Sequence, residues 1–164
     1  MARSKIKHFK GFSVVDGDIR VTLDMSRFER QFQRAQYQLD GAVMNSMVPF
    51  MPMVTGSFIN ATRAASAAVQ GSGEVYAAYG PQGRFLYEGK TMVDEKTGST
   101  WARRGAKKVL VSEFGGKTSA KPELSYTRQA HPKAQSHWFD AAKKADGKKW
   151  IRDVKKTAGG GQRG

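Results

Sequence analysis

Cysteine is absent from this 164-residue chain, which excludes disulfide staples and thiolate-held metals and fits folding in a reducing compartment. Histidine is almost as scarce, with only His8, His131 and His137. The last two flank Pro132 at a spacing that matches no zinc arrangement, so no metal and no cofactor is expected and both imidazoles are read as structural. No apolar run approaches the roughly 18 residues that span a bilayer. The basic stretch 1–10 lacks the apolar core of a secretory leader, and a soluble protein with no membrane partner is expected. Acidic residues are also few, 14 against 28 Lys and Arg.

That imbalance gives a net charge of +14, and its placement is uneven. Residues 1–10 carry +4, residues 89–121 carry +5 and residues 143–164 carry +6, leaving the remainder close to neutral. A neutral body with a cationic leader, loop and C-terminal element implies acidic partners, either nucleic acid or negatively charged protein surfaces. It fits equally a solvated periphery. Counting Gly and leaving out Tyr, about 47% of the chain is apolar, inside the roughly 45–50% of ordinary globular domains. A core can form.

Hydrophobic periodicity gives the elements. Residues 12–23 read as a β-hairpin turning at Asp16-Gly17 in a type I′ turn. Ser26–Met47 reads as a long helix, with Phe28, Phe32, Ala35, Leu39, Val43 and Met47 on one face and Arg27, Arg30, Gln31, Arg34 and Gln38 on the other. Ser26 and Glu29 have capping-box spacing, and Pro49 and Pro52 end the helix. Thr55 and Gly56 open a short Ala-rich helix over 57–65. Segments 67–70 and 74–78 around Gly71-Ser72-Gly73 form a second expected hairpin. Residues 82–87 fit a helix with Pro81 at its first position and fit a strand equally well. The basic stretch 89–121 holds one convincing strand, 109–112, and is otherwise a long loop. Residues 124–128 read as a strand and 136–156 as a last helix that Asp146-Gly147 threatens to break. The end, 158–164, reads as a flexible tail.

Catalytic patterns are missing. Ser136-His137 invites a nucleophile–base reading, yet no Gly-x-Ser-x-Gly elbow exists. Glu88, Asp94 and Glu95 are read as counter-charges for nearby bases. Neither Gly71-Ser-Gly73 nor Gly159-Gly-Gly161 has the continuation that cradles phosphate. No enzyme is expected. Trp101, Trp138 and Trp150 stand among Lys and Arg, a mixture that can grip phosphates and stack on bases, although Trp138 and Trp150, at helical positions, are read as anchors of a core or interface.

Four stretches in order carry a resemblance. The long helix leads into Pro52-Met-Val-Thr55-Gly56-Ser-Phe58. Glu74-Val-Tyr-Ala-Ala-Tyr79 is followed by Arg84-Phe-Leu-Tyr87-Glu88-Gly89-Lys90. Then comes Lys90-Thr-Met-Val93 with a variable insert. Last are Leu124-Ser-Tyr126, Ala130-His131-Pro132 and Ser136-His137-Trp138-Phe139-Asp140, before a basic helix. Over residues 24–156 the chain resembles the minor capsid proteins of siphophages of low-GC Gram-positive bacteria. More distantly it resembles the tail-completion, or head–tail joining, family of long-tailed phages.

The resemblance implies an α+β fold, in which a long amphipathic helix packs on a small antiparallel sheet. The N-terminal hairpin, the long basic loop and the C-terminal helix complete the expected class. It implies a virion neck protein, made in the host cytoplasm, that forms a six-fold ring between a head-closure or connector protein and a tail terminator or tail-tube protein. Its motif positions here, Pro52, Thr55, Gly56, Tyr87, Gly89, His131, Pro132, Trp138 and Phe139, become interface candidates. The expected organisation is a basic arm over 1–11, one α+β domain over 12–156 and a Gly-rich tail over 157–164. The insert and the C-terminal helix supply candidate contacts to acidic neighbours: Arg103, Arg104, Lys107, Lys108, Lys148, Lys149, Lys155 and Lys156. Leader, loop and tail are expected to order only on assembly, with DNA close by without sequence specificity. A basic nucleic-acid-binding or DNA-packaging accessory protein is the competing expectation.

Overall fold

Alternating apolar residues around a glycine turn give the first element of the computed structural model, which describes residues 11–159. Strands β1 (Phe12–Asp16) and β2 (Ile19–Leu23) pair antiparallel, with Asp16 opposite Ile19. The loop is therefore Gly17-Asp18, one residue later than expected. Only Gly17 has positive φ, +58°, which matches a type II′ turn, not type I′.

Helix α1 (Ser26–Met47) has the bounds the periodicity predicts. Its capping box does not form. Asp24, two residues ahead, accepts from the Ser26 backbone N–H at 2.8 Å and from the Ser26 hydroxyl at 3.0 Å, while Glu29 is bonded by the Gln33 amide at 2.7 Å. The Ser26 N–H, then the hydroxyl, hold the Asp24 carboxyl below its ordinary pKa. A 3₁₀ turn, Val48–Phe50, carries Pro49, and Met51 before Pro52 is extended (ψ 143°), as the steric demand of proline requires.

Helix α2 (Ser57–Ala68) runs three residues past its expected end, and no hairpin follows it. The reason is Asp40, buried on α1, whose carboxylate accepts the N–H of Gly71 at 2.7 Å and of Gly73 at 3.2 Å. The glycines serve a turn tethered to a helix, not a strand pair. Helix α3 (Gly83–Glu88) resolves the open choice at 82–87 as helix; Gln82 caps it, so Pro81 lies outside.

Segment 89–121 departs from a bare loop. Strands β3 (Met92–Asp94) and β4 (Lys108–Leu110) pair antiparallel, followed by a 3₁₀ turn, Val111–Glu113. The expected strand 109–112 is thus shorter and earlier. Residues 124–128 form no strand: Glu123 makes one bridge to Lys90, and the Leu124 N–H donates to the Gly89 carbonyl. Helix α4 (Trp138–Ala158) starts two residues later than expected and runs unbroken through Asp146-Gly147. It takes in residues 157 and 158 of the expected tail. The leader 1–10 and residues 160–164 lie outside the described residues.

The chain is α+β, with a long helix, small antiparallel sheets, an N-terminal hairpin and a C-terminal helix. It divides into two compact units: Met1–Ser46, Arg63–Tyr76 and Ala142–Gly164 make the first, Met47–Thr62 and Ala77–Ala141 the second. Ala35, Met44, Ala142 and Trp150 are buried in the first; Met47, Met51, Ile59, Val93, Ala134 and Trp138 in the second. Within the first unit, α1 is held by the Trp150 indole N–H on Ser46 at 3.2 Å, the Thr157 hydroxyl on Gln38 at 2.7 Å and the Gln70 amide on the Tyr37 carbonyl at 2.9 Å. Among the described residues, no helix is long and apolar enough to cross a membrane.

Candidate functional site

In the second unit, aromatic residues from three of the resembling stretches meet at Trp138. Its side chain has no exposed surface, and its indole N–H donates to the Ala77 carbonyl at 2.7 Å. Phe58 and Tyr87 meet its ring edge-on, with centroids 5.9 and 4.9 Å away, geometry the aromatic quadrupole favours. Tyr87 meets His137 in the same manner at 5.1 Å. His137 is the single described non-glycine residue with left-handed φ, +49°. It holds that conformation while its N–H donates to the Tyr87 carbonyl at 2.8 Å and its carbonyl accepts the Asp140 N–H at 3.0 Å to start α4. Its imidazole Nδ1 lies 4.0 Å from the Asp140 carboxylate. Burial, then the Asp140 charge, raise the Tyr87 pKa.

Gly89 closes α3 in the left-handed region at φ +72°. A Cβ there would come within 3.1 Å of the Ser136 Cβ and 3.2 Å of the Tyr126 hydroxyl. Tyr126 donates that hydroxyl to the Leu86 carbonyl, and burial raises its pKa. His131 Nδ1 sits 2.8 Å from the Met51 carbonyl; because a carbonyl only accepts, Nδ1 carries the hydrogen. Pro132 follows at the second position of a turn closed by the Ala134 N–H on the His131 carbonyl at 3.0 Å. Pro52 adjoins buried Met51. Thr55 does not cap α2 in the usual way: its hydroxyl meets Ser57 Oγ at 3.0 Å, while Gly56, at φ +78°, supplies the carbonyl that accepts the Asn60 N–H. Phe139 is half-buried on the first turn of α4.

The cationic insert is wired around Asp94, a residue expected only as a counter-charge. Its side chain is wholly covered. It accepts from Arg103 Nε at 3.2 Å and Nη2 at 3.3 Å, from the Lys96 N–H at 2.8 Å and from the Thr97 N–H at 3.1 Å. Arg103 first, then the Lys96 N–H, hold its carboxyl well below the usual range, and the pair raises the arginine. With the Arg103 backbone N–H at 3.4 Å, five donors converge on this one carboxylate and tie residues 94–103 of the insert together. Lys108 Nζ donates to the Thr100 carbonyl at 2.9 Å. Between these ties Trp101 is 88% exposed, and Arg104 and Lys107, three and six positions on, are exposed as well. The Asp94-x-x-x-Gly98 spacing was the available signal, since aspartate bonds its own backbone two residues on in such turns.

Beside β3 and β4 in the same unit lies a cleft of about 550 Å³ walled by Phe85, Leu86, Met92 and Leu124 and rimmed by Lys90 and Lys108. The first unit has a groove of about 730 Å³ where Arg27, Arg34 and Gln38 of α1 face Asp153 and Lys156 of α4 above buried Trp150. The polar face of α1 therefore lines a groove. Lys148, Lys149, Lys155 and Lys156 are exposed along α4.

Chemically, this arrangement offers surfaces. Glu88 pairs with Arg84 at 3.2 Å and Asp94 with Arg103, so the acids of this region are separated on different bases. Among the described residues, no three His, Asp or Glu side chains gather where a metal ion would sit. Compared with known families, curated proteins and solved structures, the chain matches none.

Proposed function

We propose that the chain is a structural protein of a tailed-phage virion: a minor capsid, tail-completion protein that forms a homo-oligomeric ring in the neck. Six copies would sit between the head-closure or connector protein and the tail terminator or tail-tube protein, after assembly in the host cytoplasm. One observation carries this reading. The stretches that resemble that family, spread from residue 51 to residue 138, bond to one another: His131 to Met51, Phe58 and Tyr87 to Trp138, His137 to Tyr87, Tyr126 to Leu86. Aromatic residues from three of those stretches, Phe58, Tyr87 and Trp138, meet around one buried indole. The rest of the surface, cationic and grooved, suits docking against acidic neighbours.

Purified particles test the reading. The chain is expected in them at ring stoichiometry, and disrupting its gene should leave DNA-filled heads and free tails unjoined. Normal infectious particles without the chain would overturn it.

Exposed Trp101, with exposed Arg104 and Lys107 three and six positions on, favours a second reading, a nucleic-acid-binding or packaging accessory protein, in which the indole stacks on bases and the cations meet phosphates. That reading requires a complex with DNA at about 150 mM salt, where screening leaves only multi-contact binding. A mobility shift that vanishes there removes it.

A further inference from the structure

The β1–β2 ribbon sorts its side chains by face. Cross-strand register sets Phe12 opposite Leu23, Val14 opposite Val21 and Asp16 opposite Ile19, and alternate residues share a face. One face therefore holds Phe12, Val14, Ile19, Val21 and Leu23, with Asp16 at the turn end. Each of the five apolar residues keeps between 44% and 68% of its surface open. The opposite face carries the Ser13–Thr22 hydroxyl pair, 3.1 Å apart, and a single apolar residue, Val15, across from Arg20. A two-stranded ribbon alone is marginal in water, and a contiguous apolar face of this kind marks a place of contact.

The second unit offers a matching surface. Its cleft has apolar walls, Phe85, Leu86, Met92 and Leu124, and a cationic rim, Lys90 and Lys108. The ribbon is apolar with an acidic end, Asp16 and Asp18. Apolar meets apolar and acid meets base when the two are brought together. Ribbon against ribbon would leave the cleft open and pair no acid with a base on that face.

We infer that the apolar face of the β1–β2 hairpin of one copy seats in the cleft lined by Phe85 and Leu124 of a second copy, with Asp16 and Asp18 on the Lys90 and Lys108 rim. Each copy then carries one ribbon and one cleft. The contact is heterologous, the kind that closes into a ring when the rotation allows. The lysine rim steers the acidic end and fixes register. The inference rests on the ring reading above and names its subunit contact.

The cysteine-free sequence makes the contact directly testable. Val14→Cys and Ala106→Cys, in separate preparations and mixed, are treated with a short bismaleimide linker, and folding is checked by circular dichroism. The mixture should give cross-linked dimer at least about tenfold above either variant alone, and Asp16→Lys/Asp18→Lys on the ribbon partner should abolish that excess. Lys90→Glu/Lys108→Glu on the cleft partner should restore it. Self-pairing of Val14→Cys, closure within one chain of a double variant, or no excess in the mixture overturns the inference. A cross-link formed by a chain absent from purified particles sinks the ring reading alone. A chain present in particles without the cross-link sinks the contact alone.

Discussion

Trp138 and Ile19 are both large and apolar, yet one has no exposed surface and the other is 68% exposed. Around Trp138, every neighbour has a defined place: Phe58 and Tyr87 at its edges, the Ala77 carbonyl on its nitrogen. Along the hairpin, five residues of similar chemistry sit on one face of a ribbon that the described chain leaves open. The difference teaches that composition alone does not separate a core from a contact surface. What separates them is whether the backbone returns to cover the residue.

The sharpest way to break the comparison is Trp138→Ala. Truncation of a buried aromatic costs roughly 3–5 kcal/mol, and here it also strips the Ala77 carbonyl of its donor. A denaturant midpoint that barely moves would show that the cluster is not the core of its unit. Gly89→Ala should come next, at about 1–3 kcal/mol, because alanine would be forced into left-handed φ against Ser136 and Tyr126; wild-type thermal stability would refute it. Acidification should act through Asp94. Its folded pKa is depressed well below the ordinary 3.8, so its contribution is full above that ordinary value and is lost progressively as pH falls below it toward the depressed folded pKa. Between about pH 5 and pH 3, wild type should lose stability more steeply than Asp94→Asn, and parallel profiles would exclude that role. The smallest effect belongs to the hairpin: Ile19→Ser should shift unfolding by no more than about 0.5 kcal/mol. A larger shift would mean that the ribbon supports the fold of the single chain.

Local pattern made some of this legible. The hairpin and α1 rest on period-two and period-3.6 alternation, and both lie where residues 12–23 and Ser26–Met47 predict. What failed has non-local causes. Gly71 and Gly73 look like a hairpin turn until Asp40, about thirty positions earlier, takes their N–H groups. Strand β3 has three residues, too few for alternation to register. The Ser26–Glu29 box cannot close because Asp24 takes the Ser26 N–H and the Met25 carbonyl takes the Glu29 N–H, which puts Ser26 inside the helix. Of the candidate site, the aromatic motif positions were legible as a set and the Asp94 turn is local, closed within residues 94–103, whereas the cleft beside β3 needed segments brought together from across the sequence.

A two-stranded ribbon has two outer borders, each a row of backbone donors and acceptors without a neighbouring strand. Among the described residues those borders flank an apolar face, a combination that invites fibre growth when copies accumulate alone. Five-residue strands and the charges of Asp16, Asp18 and Arg20 hold that tendency in check. Removing those charges is therefore expected to make this ribbon the first place where the purified protein aggregates.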